Sequence, residues 1–367
     1  MKKVAIGVRT LKGGTGASAI VLQTAKYFKE QGYNVDIYAN KLNKELIRSY
    51  GLNPIKITLF GFSDYGKRLS FATKFDKIVK KMHYDLVIGH GDILHQDILF
   101  LHNVVFLANQ LIVDENSKKI DTVGRFHNKI FSEGSFKHIV ANSNLMKNEL
   151  IHRYKIDENK IIVVYPGSDL SKFNIDAKIQ ERDNIRKKYN IGKNTIVVGL
   201  ITSGNFRKRG VKLFLKACNL LDKDKKDIKF LLVGKEKHID DYLNILNKDT
   251  KEKLLYFPSY KNIEELFYML DFFVLPAFIE EFGLVVNEAI ACGVVPIIGP
   301  NVGAGEKISN FREYMILEDT NENEIVQKIE YLLENQELVE KIIRSNFEVI
   351  KNSDWIEYNR KIEQLIS

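Results

Sequence analysis

Short, continuous apolar runs alternate with amphipathic helical segments, and this alternation constrains the fold more than any other feature. Val4–Val8 predicts a buried strand, Ala19–Gln31 a helix and Asn34–Ala39 a second strand. The same order returns in the second half, where Thr195–Ile201 predicts a strand and Val211–Leu221 a helix. Continuous apolar strands that alternate with helices are typical of parallel sheets covered on both faces. We therefore predict an α/β protein with doubly wound sheets.

Two less regular stretches complete this outline. Val104–Leu107 predicts a further strand, and Ser168–Asn190 is charged without a strong apolar period, which indicates a linker. The chain has 367 residues, enough for about two domains. We therefore place one domain at residues 1–170 and a second at residues 171–351.

The charge distribution differs between the halves. The net charge is +8, and residues 1–170 contain 25 basic and 16 acidic residues, so the excess lies in this half. A one-sided positive field favours an anionic partner, although a merely soluble lysine-rich surface would look the same. Two cysteines, Cys218 and Cys292, exclude a disulfide scaffold and favour a reducing, cytoplasmic location. No apolar run is long enough to span a bilayer.

A glycine loop follows the first strand. The segment Lys12–Ala19 is similar to the phosphate loop of partitioning-type P-loop ATPases, which needs a lysine directly before the hydroxyl residue. Ala17 precedes Ser18 here, so the ATPase alternative lacks its phosphate-binding cation. We interpret Gly13 and Gly14 as leaving room for the phosphates of a ligand held mainly by the other domain.

The densest group of polar residues lies between Leu275 and Glu288. A strand ends at Pro276, and Glu280 precedes a helix that opens at Gly283 and carries Glu288. Ligands bind at the carboxyl edge of open α/β sheets, and the amides of Gly283, Leu284 and Val285 at a helix N-terminus form an anion site. Carboxylates beside an anion site suit a sugar nucleotide, which offers both hydroxyl groups and a diphosphate.

A basic turn, Phe206–Gly210, follows the strand Thr195–Ile201. Lys208 and Arg209 can neutralise the charge that develops on a departing diphosphate, which makes a metal unnecessary. The run His90, His95 and His102 has no recognised zinc spacing, so we predict no metal site. Such a turn taken alone is more often an ordinary surface feature.

Together these motifs resemble glycosyltransferase family 4, the retaining enzymes of GT-B fold. The resemblance rests on Glu280-x7-Glu288 with Phe282-Gly283 inside, on the turn Lys208-Arg209-Gly210 and on the loop Asn301–Glu306. It covers most of the chain and is strongest in the second half. Local features around Phe206–Gly210 look most like lipopolysaccharide-core enzymes. The resemblance implies a GT-B fold, with two Rossmann-like domains whose parallel sheets face across a central cleft.

The resemblance also implies roles for individual residues. Glu288 would bind the ribose hydroxyls, Glu280 would hold hydroxyls of the donor sugar, and Lys208 and Arg209 would bind the diphosphate. The base would lie near Tyr256–Ser259, so that Phe257 and Ser259 count among the donor-binding residues.

In the first domain, His102 matches the family's histidine near the reacting carbon, although a lone histidine in such a place is often structural. The family's terminal helix crosses back onto the first domain, so we expect residues 352–367, near Trp355, to complete it.

The implied function is metal-independent, retaining hexosyl transfer from a UDP- or GDP-sugar to a glycolipid or oligosaccharide acceptor of the cell envelope. Attack by the acceptor hydroxyl would occur on the face from which the diphosphate leaves, and no cofactor is expected. Alternatives are the P-loop ATPase, a GT-B sugar-nucleotide epimerase or phosphorylase, and an inert sugar-binding protein.

A basic amphipathic segment, residues 65–82, indicates a further partner. Leu69, Ala72, Phe75 and Met82 share one helical face, and Lys67, Arg68, Lys74, Lys77, Lys80 and Lys81 occupy the remainder. Such a helix can lie on an anionic membrane, which would place the protein at the cytoplasmic face of the inner membrane. An ordinary domain helix with a solvated basic face is the alternative. No motif for nucleic-acid binding is present.

Overall fold

A computed structural model describes residues 2–112, 121–223 and 227–366 of the chain. The chain divides into two compact units. One unit runs to Pro166 and resumes at Trp355, and the other spans Gly167–Asp354. The sequence placed these boundaries after residues 170 and 351.

Within the described residues, the first unit contains a seven-stranded parallel sheet in the order β5-β3-β1-β6-β7-β8-β9 and a small two-stranded sheet, β2-β4. The strands are β1 Lys3–Gly7, β2 Thr10–Leu11, β3 Asn34–Ala39, β4 Lys41–Leu42, β5 Asn53–Lys56, β6 Leu86–Gly89, β7 Ile98–Phe100, β8 His138–Ala141 and β9 Ile161–Val163.

The helices of the first unit cover both faces of this sheet. They are α1 Gly16–Glu30, α2 Lys44–Ser49, α3 Asp64–Met82, α4 Val105–Leu111, α5 Thr122–Glu133 and α6 Asn144–Tyr154. One core packs α1 through Val21 and Phe28, and the other packs α3 through Phe71 and Phe75. Each of these four side chains is fully buried, so both sheet faces are protected from water.

The second unit repeats the scheme with a five-stranded parallel sheet in the order β12-β11-β10-β13-β14, counted over its described residues. Its strands are β10 Ile196–Ile201, β11 Ile228–Val233, β12 Leu254–Phe257, β13 Phe272–Leu275 and β14 Val295–Ile298. Its helices are α7 Ile175–Lys188, α8 Val211–Leu221, α9 Ile239–Leu243, α10 Lys248–Glu252, α11 Ile263–Met269, α12 Leu284–Ala291, α13 Arg312–Met315, α14 Glu322–Glu334 and α15 Gln336–Lys351.

The terminal helix, α16 Trp355–Glu363, belongs to the first unit. Tyr358 and Ile362 are buried in the core that also contains α1. Tyr27 donates a hydrogen bond to Glu363 at 2.7 Å, and the Asn359 amide donates to the backbone carbonyl of Gln23. The first unit is therefore built from two separate stretches of the chain.

The linker predicted at residues 168–190 is wrong, because most of it forms α7. This helix buries Ile185 and Arg186, and charged contacts supply much of its attachment. Arg182 and Arg186 both donate to the carboxylate of Asp271, at 2.6 and 2.8 Å, and Arg186 also donates to the carbonyl of Met269. A search for apolar periodicity misses a helix whose buried contacts are made by guanidinium groups.

The strand predicted at Val104–Leu107 is also wrong. These residues begin α4, and the strand lies earlier in the chain, at β7. All three residues of β7 are buried, and the strand pairs with β6 and β8. A three-residue strand has no periodicity of its own, so only its neighbours in the sheet define it.

Candidate active site

The carboxyl edge of the second sheet carries two ion pairs. Lys208 Nζ donates to both carboxylate oxygens of Glu281, at 2.7 and 2.6 Å. Arg209 forms an ion pair with Glu280. The basic turn and the glutamate loop therefore meet as two adjacent cations against two adjacent anions.

Backbone contacts hold the basic turn against the glutamate loop. The amide of Phe278 donates to the carbonyl of Lys208 at 3.1 Å. Gly210 has a φ of 67°, and a side chain there would come within 2.0 Å of the Pro276 carbonyl oxygen. Glycine is thus required at position 210 by both conformation and space.

The two pairs differ in their access to solvent. Lys208 and Glu281 are buried side chains, with 9 and 5% of their side-chain surface exposed, whereas Arg209 and Glu280 retain 18 and 13%. Burial raises the pKa of Glu280, and the neighbouring Arg209 guanidinium opposes that effect. The Arg209–Glu280 pair is therefore the more accessible one to a ligand.

Helix α12 begins at Leu284, four residues after Glu280. Gly283 has a φ of 94°, and a side chain there would lie 3.1 Å from Cγ of Glu280. The carbonyl of Glu280 accepts a hydrogen bond from Gly303, and that of Phe282 from Ala304. The first amides of a helix lack carbonyl partners within it, so those of Leu284 and Val285 give this edge a positive potential.

Glu288 lies one turn further into α12, in a different charge environment. Burial raises its pKa to about 7, Lys172 lowers it, and Asp169 and Glu264 raise it. Lys172 and Glu264 form an ion pair at 3.3 Å and both line a cavity of about 700 Å³. Glu288 itself is not among the residues that line this cavity.

Phe257 and Ser259 lie at the same edge, but β12 is separated from β13 by β11 and β10. The ring of Phe257 packs edge-on against Tyr189 and Tyr260, and those two phenols share a hydrogen bond of 2.7 Å. Ser259 is exposed in the loop after β12.

In the first unit, the sheet edge carries histidines. His90 follows β6 and His102 follows β7, and their rings stack in parallel with His90 Nδ1 2.9 Å from His102 Nε2. Burial lowers the pKa of His90 well below its usual range, and His102 lowers it further. Burial also lowers the pKa of His127, from α5, to about 3, with Arg68 and His102 adding to the effect.

The hydrogen bond between His90 and His102 indicates a tautomer for both rings. His90 Nε2 is buried and has no hydrogen-bond partner among the described residues. Orphaned buried N–H groups are rarer in folded proteins than unpaired acceptors, so the arrangement that leaves a bare lone pair at His90 Nε2 is favoured. His90 therefore donates from Nδ1, and His102 accepts at Nε2 and carries its own proton on Nδ1.

An ion network adjoins the histidines, and sequence reasoning missed it. The Arg68 guanidinium donates to Asp92 at 2.6 Å, and the backbone amide of Arg9 donates to the second Asp92 oxygen at 2.8 Å. Arg9 also binds Asp64 at 2.6 Å. Arg68 is thus a buried structural cation and not part of an exposed basic face. The sequence did contain a signal for this network, because His90-Gly91-Asp92 places two polar residues directly after a buried strand.

The glycine loop lies at the start of α1 in the same unit. Gly13 and Gly14 have φ of 86 and 72°, and Thr15 caps the helix by accepting a hydrogen bond from the Ser18 amide. A side chain at Gly14 would find no atom within 4 Å. The loop therefore leaves open space beside Gly14.

No group of three or more His, Cys, Asp or Glu residues in the described part of the chain is placed to hold a metal ion. Among the same residues, no helix is long and apolar enough to cross a membrane.

Two Rossmann-like units and a Glu-x7-Glu pair at a sheet edge define the class of GT-B glycosyltransferases. Two family models match in turn along the chain, Glycosyltransferase Family 4 over residues 14–172 and Glycosyl transferases group 1 over residues 181–349. The chain belongs to glycosyltransferase family 4. The family and the fold class predicted from the sequence are confirmed.

Curated relatives are enzymes of glycosyl transfer. One is N,N'-diacetylbacillosaminyl-diphospho-undecaprenol alpha-1,3-N-acetylgalactosaminyltransferase of Campylobacter jejuni, which is 31% identical over 62% of this chain and 58% of its own length. Another is N-acetyl-alpha-D-glucosaminyl L-malate synthase of Bacillus anthracis, 25% identical over 82% of this chain and 80% of its own. The chain thus spans less than two thirds of the first relative.

Solved structures share the fold over almost the whole chain. WaaG, a glycosyltransferase involved in lipopolysaccharide biosynthesis, superimposes with a TM-score of 0.85 at 16% identity, covering 99% of both chains. Anabaena HepE, solved in complex with UDP and glucose, gives 0.78 at 17% identity, also over 99% of both. At 16 and 17% sequence identity, these superpositions show that the fold is shared and no more.

Proposed function

We propose that the protein is a retaining glycosyltransferase that moves a hexose from a UDP- or GDP-sugar to a hydroxyl of a cell-envelope glycolipid or oligosaccharide. The observation that carries this proposal is the edge of the second sheet, where Glu280, Arg209 and the first amides of α12 lie together. That edge offers acceptors for sugar hydroxyls beside donors for a diphosphate. The known complexes of HepE with UDP and UDP-glucose support a nucleotide donor.

The two cations of the basic turn have separate tasks in this proposal. Lys208 holds the turn in place through buried Glu281, and Arg209 is the cation that meets the diphosphate. Together with the α12 amides, Arg209 stabilises the charge that develops on the departing diphosphate, so no metal ion is required. Glu280 orients the transferred sugar and is not a nucleophile.

Glu288 binds the ribose hydroxyls in its ionised form, and the room beside Gly14 accommodates phosphate oxygens. The Phe257 and Ser259 region contacts the base. His102 acts as a neutral hydrogen-bond donor from Nδ1 toward the reacting sugar. The acceptor hydroxyl attacks on the leaving-group face, and the departing phosphate takes its proton.

The acceptor is proposed to be lipid-linked. The Campylobacter relative is named for a diphospho-undecaprenol acceptor, and WaaG takes part in lipopolysaccharide biosynthesis. A cytoplasmic location is part of the same proposal, because Cys218 and Cys292 are free thiols.

Thermal shift with a panel of UDP- and GDP-sugars tests the donor site. A ligand at one hundred times its Kd adds about 2.7 kcal/mol of stability. We expect a shift with one sugar nucleotide that is reduced in Glu288→Ala and unchanged in Glu340→Ala, a control whose side chain is 70% exposed. A shift with ATP and with no sugar nucleotide would contradict the proposal and support the ATPase alternative.

Product analysis tests the reaction. The anomeric coupling constants of the product, measured by NMR, should show the same configuration as the donor sugar. An inverted product would refute the retaining assignment, and an epimerised free nucleotide sugar would favour the epimerase alternative.

A further inference from the structure

Two phenylalanine side chains project into solvent just before α3. Phe60 is 71% exposed and Phe62 is fully exposed, the two most exposed aromatic side chains among the described residues. The same loop turns Ile57 and Leu59 inward against the core that contains Phe75. The chain therefore anchors this loop with one set of apolar residues and leaves a second set unburied.

The loop is attached to the first turns of α3. The amide of Phe60 donates to Ser70 Oγ at 3.3 Å, and Lys74 Nζ donates to the Thr58 carbonyl at 2.6 Å. Gly61 has a φ of 135°, and a side chain there would come within 3.1 Å of the Lys67 backbone nitrogen. The backbone that carries the two exposed rings is thus held against the helix.

A stripe of lysines runs along the same side of α3. Lys67, Lys74, Lys77 and Lys81 are spaced three, four and seven residues apart, so they share one helical face. Lys74 joins the stripe to the loop, because its ammonium lies 4.0 Å above the ring of Phe60. We call Phe60, Phe62 and these four lysines the lysine–phenylalanine face.

The apolar face of α3 is not available to a membrane. Phe71, Ala72 and Phe75 are fully buried in the core, and Arg68 is buried against Asp92. Met82, expected on the apolar face, is 45% exposed. The helix therefore fits the domain-helix alternative, and any membrane contact must use its lysines and the preceding loop.

The chemistry of this face points to an anionic bilayer. Residues 56–82 contain seven Lys and Arg against two Asp, and both carboxylates have basic neighbours. Lysine is depleted in protein interfaces, whereas lysines attract anionic headgroups and exposed aromatic rings enter the headgroup region.

We propose that the lysine–phenylalanine face docks this protein on anionic lipid, with Phe60 and Phe62 inserted between headgroups. This inference rests on the proposed lipid-linked acceptor, since docking brings the enzyme to the surface where that acceptor lies. Each lysine near an anionic surface strengthens binding by roughly fivefold.

Vesicle co-sedimentation of the full chain tests the proposal. We expect binding to phosphatidylcholine vesicles that contain 30% phosphatidylglycerol, weaker binding in high salt, and little binding to phosphatidylcholine alone. Phe60→Ser/Phe62→Ser should weaken binding at least tenfold, and Lys67→Gln/Lys77→Gln by about 25-fold. Lys74 is left unchanged because it packs on Phe60.

Matched controls carry the same chemical changes elsewhere. Lys248→Gln/Lys251→Gln removes two lysines from α10, and Ile179→Ser/Ile356→Ser removes two exposed apolar side chains. Both controls should bind vesicles like wild type. Equal losses in the controls, or wild-type binding that is insensitive to both test variants, would overturn the proposal.

Insertion has its own readout. In a Phe62→Trp/Trp355→Phe variant, tryptophan emission should shift to the blue and be quenched by brominated lipid when phosphatidylglycerol vesicles are added. Emission that is unchanged while the protein sediments would refute insertion.

Sedimentation velocity in the absence of lipid tests whether a second copy of the chain binds the lysine–phenylalanine face instead. A dimer that Phe60→Ser/Phe62→Ser dissociates would assign this face to a second copy of the chain.

Donor binding and membrane docking can be refuted independently of each other. Thermal shift by a sugar nucleotide should be the same in wild type and Phe60→Ser/Phe62→Ser. An absent shift in the wild type would reject the donor site whatever the vesicles show, and vesicle binding lost with the shift intact concerns this face alone.

Discussion

The glutamate loop of the second sheet and the histidines of the first use different electrostatic solutions, although the buried Arg68–Asp92 ion pair adjoins those histidines. In the second unit, charged side chains meet as ion pairs, Lys208 with Glu281 and Arg209 with Glu280. In the first unit, His90 and His127 are neutral, because burial lowers the pKa of each ring.

The difference teaches what each edge can do. Paired ions can exchange partners when a diphosphate arrives, since Arg209 has another anion to bind. Neutral imidazoles cannot supply charge, but they fix the direction of hydrogen bonds. Charge and direction can be separated experimentally, and the largest expected effect comes first.

The buried pair is expected to be structural. Glu281→Gln leaves the Lys208 ammonium buried without its counter-ion, which should destabilise the protein by about 3–5 kcal/mol. Chemical denaturation checks this. The double variant Lys208→Met/Glu281→Leu should recover most of the loss, and a stable single variant would contradict the assignment.

The accessible pair is expected to be functional. Glu280→Gln removes the charge that balances Arg209 and that we propose orients the sugar, so kcat/KM for transfer should fall about 10²–10³-fold. Its midpoint of denaturation should change less than that of Glu281→Gln. A kcat/KM near that of the wild type would remove Glu280 from the site.

Glu288 makes stability depend on pH. Burial raises its pKa to about 7, above the usual pKa of a glutamate, so the folded protein holds a proton that the unfolded chain has lost. Stability should therefore fall by roughly 1–3 kcal/mol as the pH rises from 4.5 to 7. Glu288→Gln should remove this dependence when denaturation is followed across that range.

Binding should show the opposite trend. Hydroxyl donors favour the carboxylate, so affinity for the sugar nucleotide should increase as the pH passes 7. An affinity that is constant from pH 5 to 8 would exclude ionised Glu288 as a ligand.

The histidines are expected to give a pH dependence of stability of the opposite sign. A pKa lowered by folding means that the unfolded chain binds protons first, so stability should decline as the pH falls below 6.5. His90→Gln should reduce the slope by at most about 1.4 kcal/mol per pH unit.

The tautomer has a direct test. Nitrogen chemical shifts of ¹⁵N-histidine protein should show His102 protonated on Nδ1, and this signal should change in His90→Gln but not in His95→Gln. Protonation of His102 on Nε2 would refute the proposed direction of the hydrogen bond.

Much of the fold could be predicted because the burial of a strand or helix shows in the apolar pattern of its own residues. Strands such as Asn34–Ala39 are buried on both faces, and their apolar runs show this directly. Glu280-x7-Glu288 was recognisable because both carboxylates lie on one loop-and-helix segment. By contrast, β7 is too short to show a pattern, and α7 is anchored by arginines.

The sequence by itself determined the class of fold, the strand ends that carry polar residues, and the identity of the two glutamates. Only the tertiary structure decided the partners: Glu281 for Lys208, Asp92 for Arg68 and His90 for His102. The apolar periodicity of a helix or strand indicates which of its side chains are buried, because that pattern lies within the element itself. Pairing depends on which strands become neighbours, and that is fixed by crossovers between segments distant in sequence.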